Sequence, residues 1–285
     1  MLTIAENISL PALFNNCSLF CVKMNKKIVF CNCGATLIGI DRLEDISEYL
    51  DPKNYPYTLV QDLCGCAVDR KGEIVDLFNT NEQFLIIACY PRGINLLLEN
   101  CGLDLQALNL SYLNFRELTN PQIFKEIVSF FEGEVPEKSA AELTSSCEWP
   151  PWYPIIDHSR CNSCGQCADF CLYGVYEISD NKLVVVNPKG CKSNSPACAR
   201  ICPQIAIIFP KYEHPGAIAG SGRIDEIAEQ QRQYQDIDAI LGSNIYQALE
   251  MRKAKRKSII RLTAMEQAIL ERDKVLSEKV EIYKN

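Results

Sequence analysis

The chain has 285 residues, a formal net charge of −7, 47% hydrophobic and 23% charged residues, and 16 cysteines. This composition excludes a disordered chain, the length suits two domains, and no apolar run reaches the roughly 18 residues of a membrane span. Residues 1–222 hold 17 basic against 25 acidic side chains, a balance of −8, while residues 223–285 hold 12 against 11; such acidity argues against nucleic acid and suits steering toward a basic redox partner.

Met1 to Leu13 lacks a basic region ahead of its apolar residues, so no secretory signal is expected and the chain is expected in the cytoplasm. Thiols stay reduced there, so the cysteines point to thiolate ligands for soft metals rather than a disulfide framework. Cys17 and Cys21, at C-x3-C spacing, suit either a shared metal site or a redox pair, against the plainer reading of packed thiols.

Residues 27–131 alternate strand-like and helix-like runs. Ile28–Cys31 reads as a strand, and Asp41–Leu50 as a helix with Leu43, Ile46 and Leu50 on one face. Tyr57–Val60 is a second strand, followed by a helix-like stretch from Val68 to Phe78. Phe84–Cys89 is apolar throughout, as in a central parallel strand buried on both faces. Pro91–Asn100 reads as a helix, Leu108–Leu110 as a fourth strand, and a last helix runs from the N-cap Asn120 and Pro121 to Phe131. Such alternation predicts an open, mostly parallel α/β sheet over residues 1–131. In such a sheet the loops at the carboxyl ends of the strands line one crevice. Cys31 and Cys33, Cys64 and Cys66, and Cys89 all sit where strands are predicted to end, so they can meet there. Cys101 ends an apolar helix and reads as packing. Arg92 suits either an anion at a helix start or a plain salt bridge.

Residues 132–152 shift to Glu, Pro, Ser and Ala, a linker composition that contains Cys147, to which no role is assigned. Trp149 and Trp152 at its end are expected to pack the linker against a domain. Residues 153–212 form a small cysteine-rich unit. Its first run, Cys161, Cys164, Cys167 and Cys171, has the spacing C-x2-C-x2-C-x3-C, and a second holds Cys191, Cys198 and Cys202 before Pro203. The first spacing is that of iron–sulfur cubane ligands: three thiolates two residues apart converge on three corners of one cube, and the fourth serves its neighbour. Structural zinc, which favours paired C-x2-C units, fits interleaved triples badly. Val175–Ile178 and Leu183–Val186 flank the turn formers Ser179-Asp180-Asn181-Lys182 as a hairpin. His158, three residues before Cys161, reads as a surface histidine ahead of a hydrogen-bonding neighbour of a cluster. Gly216 to Gly222 has no phosphate-loop spacing. Residues 213–285 are expected to form a helical tail. Its stripe of Ile259, Leu262, Met265, Ile269, Leu276, Val280 and Tyr283 suits packing on its own domains, oligomerisation or partner docking. Arg252, Lys253, Lys255, Arg256 and Lys257 read as a solvated helix face.

Residues 155–210 resemble a bacterial two-cluster ferredoxin domain, from strand Ile155–Ile156 through both cysteine runs to strand Ile205–Phe209. The resemblance implies a small α+β unit holding two 4Fe-4S clusters. One falls to Cys161, Cys164, Cys167 and Cys202; the other to Cys171, Cys191, Cys198 and one further position. Related domains place a cysteine where this chain has Ser195. Three outcomes stand open for that site: a four-iron cluster with Ser195 or water at one iron, a three-iron cluster (3Fe-4S), or none. A serine oxygen is a harder ligand than a thiolate and binds soft iron less readily.

The motifs Cys31-Asn32-Cys33-Gly34, Asp62-Leu63-Cys64-Gly65, Ala88-Cys89-Tyr90-Pro91-Arg92 and Asn114-Phe115-Arg116-Glu117 resemble the N-terminal domain of the FAD-binding component of heterodisulfide reductase. The resemblance covers about residues 27–117 and implies a third iron–sulfur cluster, for which Cys31, Cys33, Cys64 and Cys89 are the expected ligands and Cys66 the substitute. The large FAD domain of that family is not expected in this chain. The overall arrangement looks like uncharacterised bacterial ferredoxin-family proteins. The leading expectation is an electron-transfer protein working between unidentified redox proteins. The alternatives are a heterodisulfide-reductase-like oxidoreductase component that works on thiols or disulfides, and a redox-sensing scaffold.

Overall fold

The computed structural model describes residues 25–33, 37–51, 55–133, 138–232 and 250. Cys17, Cys21, the basic run at 252–257 and the apolar stripe from Ile259 lie outside the described residues.

The first elements follow the expected alternation: β1 (Lys26–Asn32), α1 (Ile40–Leu50), β2 (Tyr57–Gln61), α2 (Leu63–Asp69), α3 (Lys71–Phe78), β3 (Gln83–Ala88), α4 (Pro91–Cys101), β4 (Asn109–Asn114) and α5 (Asn120–Phe130). A fifth strand, β5 (Ala140–Thr144), falls inside the stretch whose composition reads as a linker. It pairs in parallel with β2 from Tyr57–Ala140 to Gln61–Thr144. Its composition misleads because it is an exposed edge strand on which only Leu143 is half-buried. The five strands are parallel in the order β4-β3-β1-β2-β5. β1 and β3 sit in the middle, and Ile28, Val29, Phe30, Phe84, Ile86 and Ile87 are buried in the core. An apolar run needs both faces covered, which is why these two strands are central.

Several boundaries differ from expectation, among them the strand expected over Ile205–Phe209, which is only Ile207–Ile208. The single helix expected over Val68–Phe78 is two, parted at Arg70, whose φ of −128° and ψ of 36° are not helical. The fourth strand extends to Asn114. Thr119, rather than Asn120, caps the last helix, and Gln122 Oε1 accepts from the Thr119 N–H and hydroxyl, each at 2.9 Å.

The cysteine-rich segment contributes β6 (Ile155–Ile156), α6 (Gln166–Phe170), β7 (Tyr176–Ser179), β8 (Lys182–Val185), α7 (Ala197–Arg200) and β9 (Ile207–Ile208). β6 and β9 pair antiparallel, and so do β7 and β8. Asp180 and Asn181 take φ of 49° and 59°, the pair of left-handed residues that a two-residue hairpin requires.

This segment packs on the sheet. Ile155 belongs to the sheet core, while Trp152 is buried against Phe209 with ring centroids 5.1 Å apart. Trp149 meets Tyr153 edge-on at 6.3 Å, so both tryptophans pack at the junction as expected. Arg92 at the start of α4 reaches Asp157 after β6, with Nη2 at 2.8 Å and Nε at 3.2 Å from the same carboxylate oxygen. Arg92 is therefore a buried salt bridge, the plainer of its two readings. Arg116 donates to the carbonyls of Pro210, at 3.4 Å, and Glu213, at 2.6 Å. No helix among the described residues is long and apolar enough to cross a membrane.

Candidate metal centres

In the cysteine-rich segment the thiols gather in two rings. Cys161, Cys164, Cys167 and Cys202 line one small void of about 10 Å3, closed by Gly165, Pro203 and Ile207. Cys171, Cys191 and Cys198 line a second cavity of about 200 Å3 together with Ser195, Phe170, Leu172, Tyr173 and Tyr176. The rings lie near enough for Cys198 of the second to raise the Cys167 thiol of the first through its charge. The turns that wrap the first run depend on Ser163 and Gly165, with φ of 56° and 79°. These turns aim backbone N–H groups at sulfur: Ser163 donates to Cys161 Sγ at 3.4 Å, and Ala206 to Cys202 Sγ at 3.4 Å. The backbone N–H groups of Ala168 and Ala199 likewise favour the thiolates of Cys167 and Cys198. The Tyr176 hydroxyl donates to Cys198 Sγ at 3.0 Å.

Burial is the largest influence on these sulfurs. It pushes Cys198 up to about 12 and Cys191 up to about 11, with Cys171 raising both further. Thiols in this state hold their protons until a metal displaces them. The donor set suits a soft thiophilic group, because amide donors aimed at sulfur are the tuning contacts of iron–sulfur clusters. Among the described residues no group of three or more His, Cys, Asp or Glu side chains is spaced to hold a single metal ion. A cubane holds its ligands at separate corners, wider apart than one ion does, so the spacing that suits a cluster differs from the spacing that suits an ion.

A third group of thiols lies at the sheet. β1 leads on to β2 at one side while β3 leads on to β4 at the other, so the carboxyl ends of β1 and β3 open a crevice between diverging loops. Cys31 and Cys33 end β1, Cys89 follows β3, and Cys64 opens α2 after β2; all four are buried. They bear on one another: Cys89 hydrogen-bonds Cys33, and Cys31 feels Cys33 and Cys64. The Leu63 N–H donates to Cys31 Sγ at 3.5 Å. Burial first, then the neighbouring Cys33 thiol, hold Cys31 well above the ordinary thiol range. Asp62 reaches this arrangement in a left-handed conformation, φ 61°, and accepts from the Gly65 N–H at 3.3 Å. A Cβ at Gly65 would lie 2.6 Å from Ser145 Oγ, so that side chain would have to shift to admit one.

Lys211 closes the crevice from the cysteine-rich segment. Its ammonium pairs with Asp62, both side chains largely buried at 8% and 16% exposure. Burial alone would lower its pKa, but Cys64, Asp62 and Cys33 together raise it, so the charge is retained beside the thiols. The Tyr153 hydroxyl donates to the Cys64 carbonyl at 2.7 Å. A cavity of about 540 Å3 opens beside Cys33, lined by Asn32, Gln61, Glu44 and apolar residues of β1, β2 and α1.

The substitute ligand turns away. Cys66 is fully buried and donates to the carbonyls of Gln61 at 3.5 Å and Leu143 at 3.9 Å, toward β5. Burial, then Asp69, push its thiol up to about 12. Cys101 points at the Ala67 carbonyl and Cys147 at that of Gly65. His158 is exposed, as expected. Sequence reasoning missed Lys211 and Tyr176, the latter visible only as one hairpin residue among others, and met Asp62 only as a motif residue without a role of its own.

One relative is a ferredoxin. An uncharacterised ferredoxin of Methanocaldococcus jannaschii is 45% identical over 65 residues, which are 22% of this chain and 44% of that protein. The chain thus matches less than half of the relative's length. The likeness supports a ferredoxin-like domain within the chain. No protein-family model and no solved structure matches the chain. The likeness of residues 27–117 to heterodisulfide reductase therefore rests on the short motifs alone.

Proposed function

We propose that this chain is an iron–sulfur electron-transfer protein that passes electrons between redox partner proteins. The observation that carries the reading is the pair of neighbouring sulfur rings, one of Cys161, Cys164, Cys167 and Cys202, the other of Cys171, Cys191 and Cys198 with Ser195. Their separation into two linings follows the ligand sets that the ferredoxin pattern implies, and the named relative adds support. Bound there, clusters supply one-electron reduction and oxidation. The polypeptide holds the thiolates, shields them from water and sets their potential through the N–H and O–H donors aimed at sulfur.

The first ring takes a 4Fe-4S cluster; the second takes one with a weak corner at Ser195 and yields its iron more readily, leaving a three-iron form. The four buried thiols at the sheet crevice take a third cluster, with Lys211 offsetting part of its negative charge. Acidic residues across 1–222 favour basic redox partners.

The test is oxygen-free purification with iron and sulfide counts and EPR on the wild type, Cys31→Ala and Cys198→Ala. Brown protein with matched iron and sulfide is expected, Cys31→Ala losing the crevice signal and Cys198→Ala that of the second ring. Colourless protein, or protein holding only zinc, defeats the reading.

A further inference from the structure

Tyr176 supplies no thiol to either ring, yet its hydroxyl reaches into the second, to Cys198. Besides its hydrogen bond to Cys198, the thiols that bear on it are Cys167 of the first ring and Cys191 of the second. It lines the cavity of the second ring, and its backbone is fixed by pairing with Val185 across the hairpin. The hydroxyl is the donor in the hydrogen bond to Cys198, at 3.0 Å. The hydroxyl makes the second ring differ from the first, where Ser163 and Ala206 donate through backbone N–H groups. A side-chain donor can be lost or replaced without altering the chain's path.

We propose that Tyr176 is a positioning residue that sets which of the two centres an electron prefers, its hydroxyl shifting the electron toward the second ring. The inference rests on reading the second ring as a redox centre. Adding an electron increases the negative charge on the thiolates, and a donor aimed at one of them stabilises that reduced state more than the oxidised one. Removing the hydroxyl should move the partition toward the first ring by up to about tenfold, the ceiling set by one whole hydrogen bond to a charged acceptor. For a one-electron couple that is about 59 mV.

The experiment uses the full chain, purified without oxygen, with iron and sulfide counted, and partly reduced at controlled potential while EPR follows each centre. Tyr176→Phe is compared with wild type and with Tyr112→Phe, a tyrosine of β4 that lines neither ring and likewise loses a hydroxyl hydrogen bond, to Asn95. Tyr176→Phe should move the partition toward the first ring and Tyr112→Phe should not. Site-specific 3-fluorotyrosine at 176, a more acidic donor, should move it the other way. An unmoved partition in Tyr176→Phe, equal shifts in both phenylalanine variants, or loss of iron from the second ring in Tyr176→Phe overturns the role. Wild-type protein lacking iron at the second ring defeats the underlying reading instead, and the iron count tells these failures apart.

Discussion

Arg92→Met tests whether the sheet and the cysteine-rich segment behave as one body. The guanidinium and the Asp157 carboxylate are 14% and 7% exposed, so water screens the pair little. Nη2 and Nη1 also approach the carbonyls of Ile205 and Ala217, each at 3.4 Å. Burial works against the Asp157 charge, yet the Ser159 hydroxyl and Arg92 hold its carboxyl below the usual carboxylate range. Removing one partner of a buried pair costs about 3–5 kcal/mol, most of it from stranding the other charge. Asp157 would keep Ser159, whose N–H and hydroxyl reach Oδ1 at 3.1 and 2.5 Å, which places the expected loss near the lower end, about 3 kcal/mol.

Trp149 and Trp152, the chain's two tryptophans, both lie at this junction, so intrinsic fluorescence during a urea series reports on it directly. With a slope of about 3 kcal/mol per molar urea, the midpoint should fall by about 1 M. Asp157→Asn should also destabilise, and the double variant should cost less than the two single losses combined by about 1 kcal/mol or more. A midpoint that moves by less than about 0.3 M in Arg92→Met, or strict additivity in the double variant, would refute the clasp.

Other substitutions separate packing from ligation. Gly220→Ala forces φ 94° on a residue whose Cβ would lie 2.8 Å from the Gly93 backbone. A loss of about 1–3 kcal/mol is expected in the same urea assay, while Gly222→Ala, with open space around it, should leave the midpoint in place. Ser195→Cys supplies a fourth thiol to the second ring and should slow iron loss to a chelator; unchanged iron content and spectra would count against Ser195 as the weak corner. Cys64→Ser should lower the iron bound per chain and Cys66→Ser should not, because Cys66 faces β5. Equal losses from both would show that the crevice set is wrongly drawn.

The parts legible in the sequence are those written locally. The apolar runs of β1 and β3 announce central parallel strands, Asp180-Asn181 a tight hairpin, and the cysteine spacing two rings. β5 escaped because an edge strand buries almost nothing and so carries a polar sequence. α2 escaped because Leu63-Cys64-Gly65-Cys66 has a glycine and cysteines where a helix shows its apolar stripe. Its start depends on Asp62 accepting from Gly65, a contact that only the folded turn makes. Lys211 was invisible for a different reason: its partner Asp62 lies 149 residues away, and no periodicity links them.

That long-range pair explains why the two parts of the chain are packed rather than merely joined. A crevice at the carboxyl ends of β1 and β3 is open by construction, since the loops diverge there. Four thiols left in it would face water, yet all four are buried. The cover is the chain leaving β9: Phe209, Pro210 and Lys211 meet Cys64, Trp152 and Tyr153 around one small void. Arg116 fixes the carbonyls on both sides of Lys211, and Arg92 ties the other flank. The segment that forms the sulfur rings therefore also covers Cys64, and it brings the cation that pairs with Asp62. Burial without Lys211 would leave Asp62 as an unpaired buried carboxylate beside four thiols, which is why the cover carries a lysine and not another apolar residue.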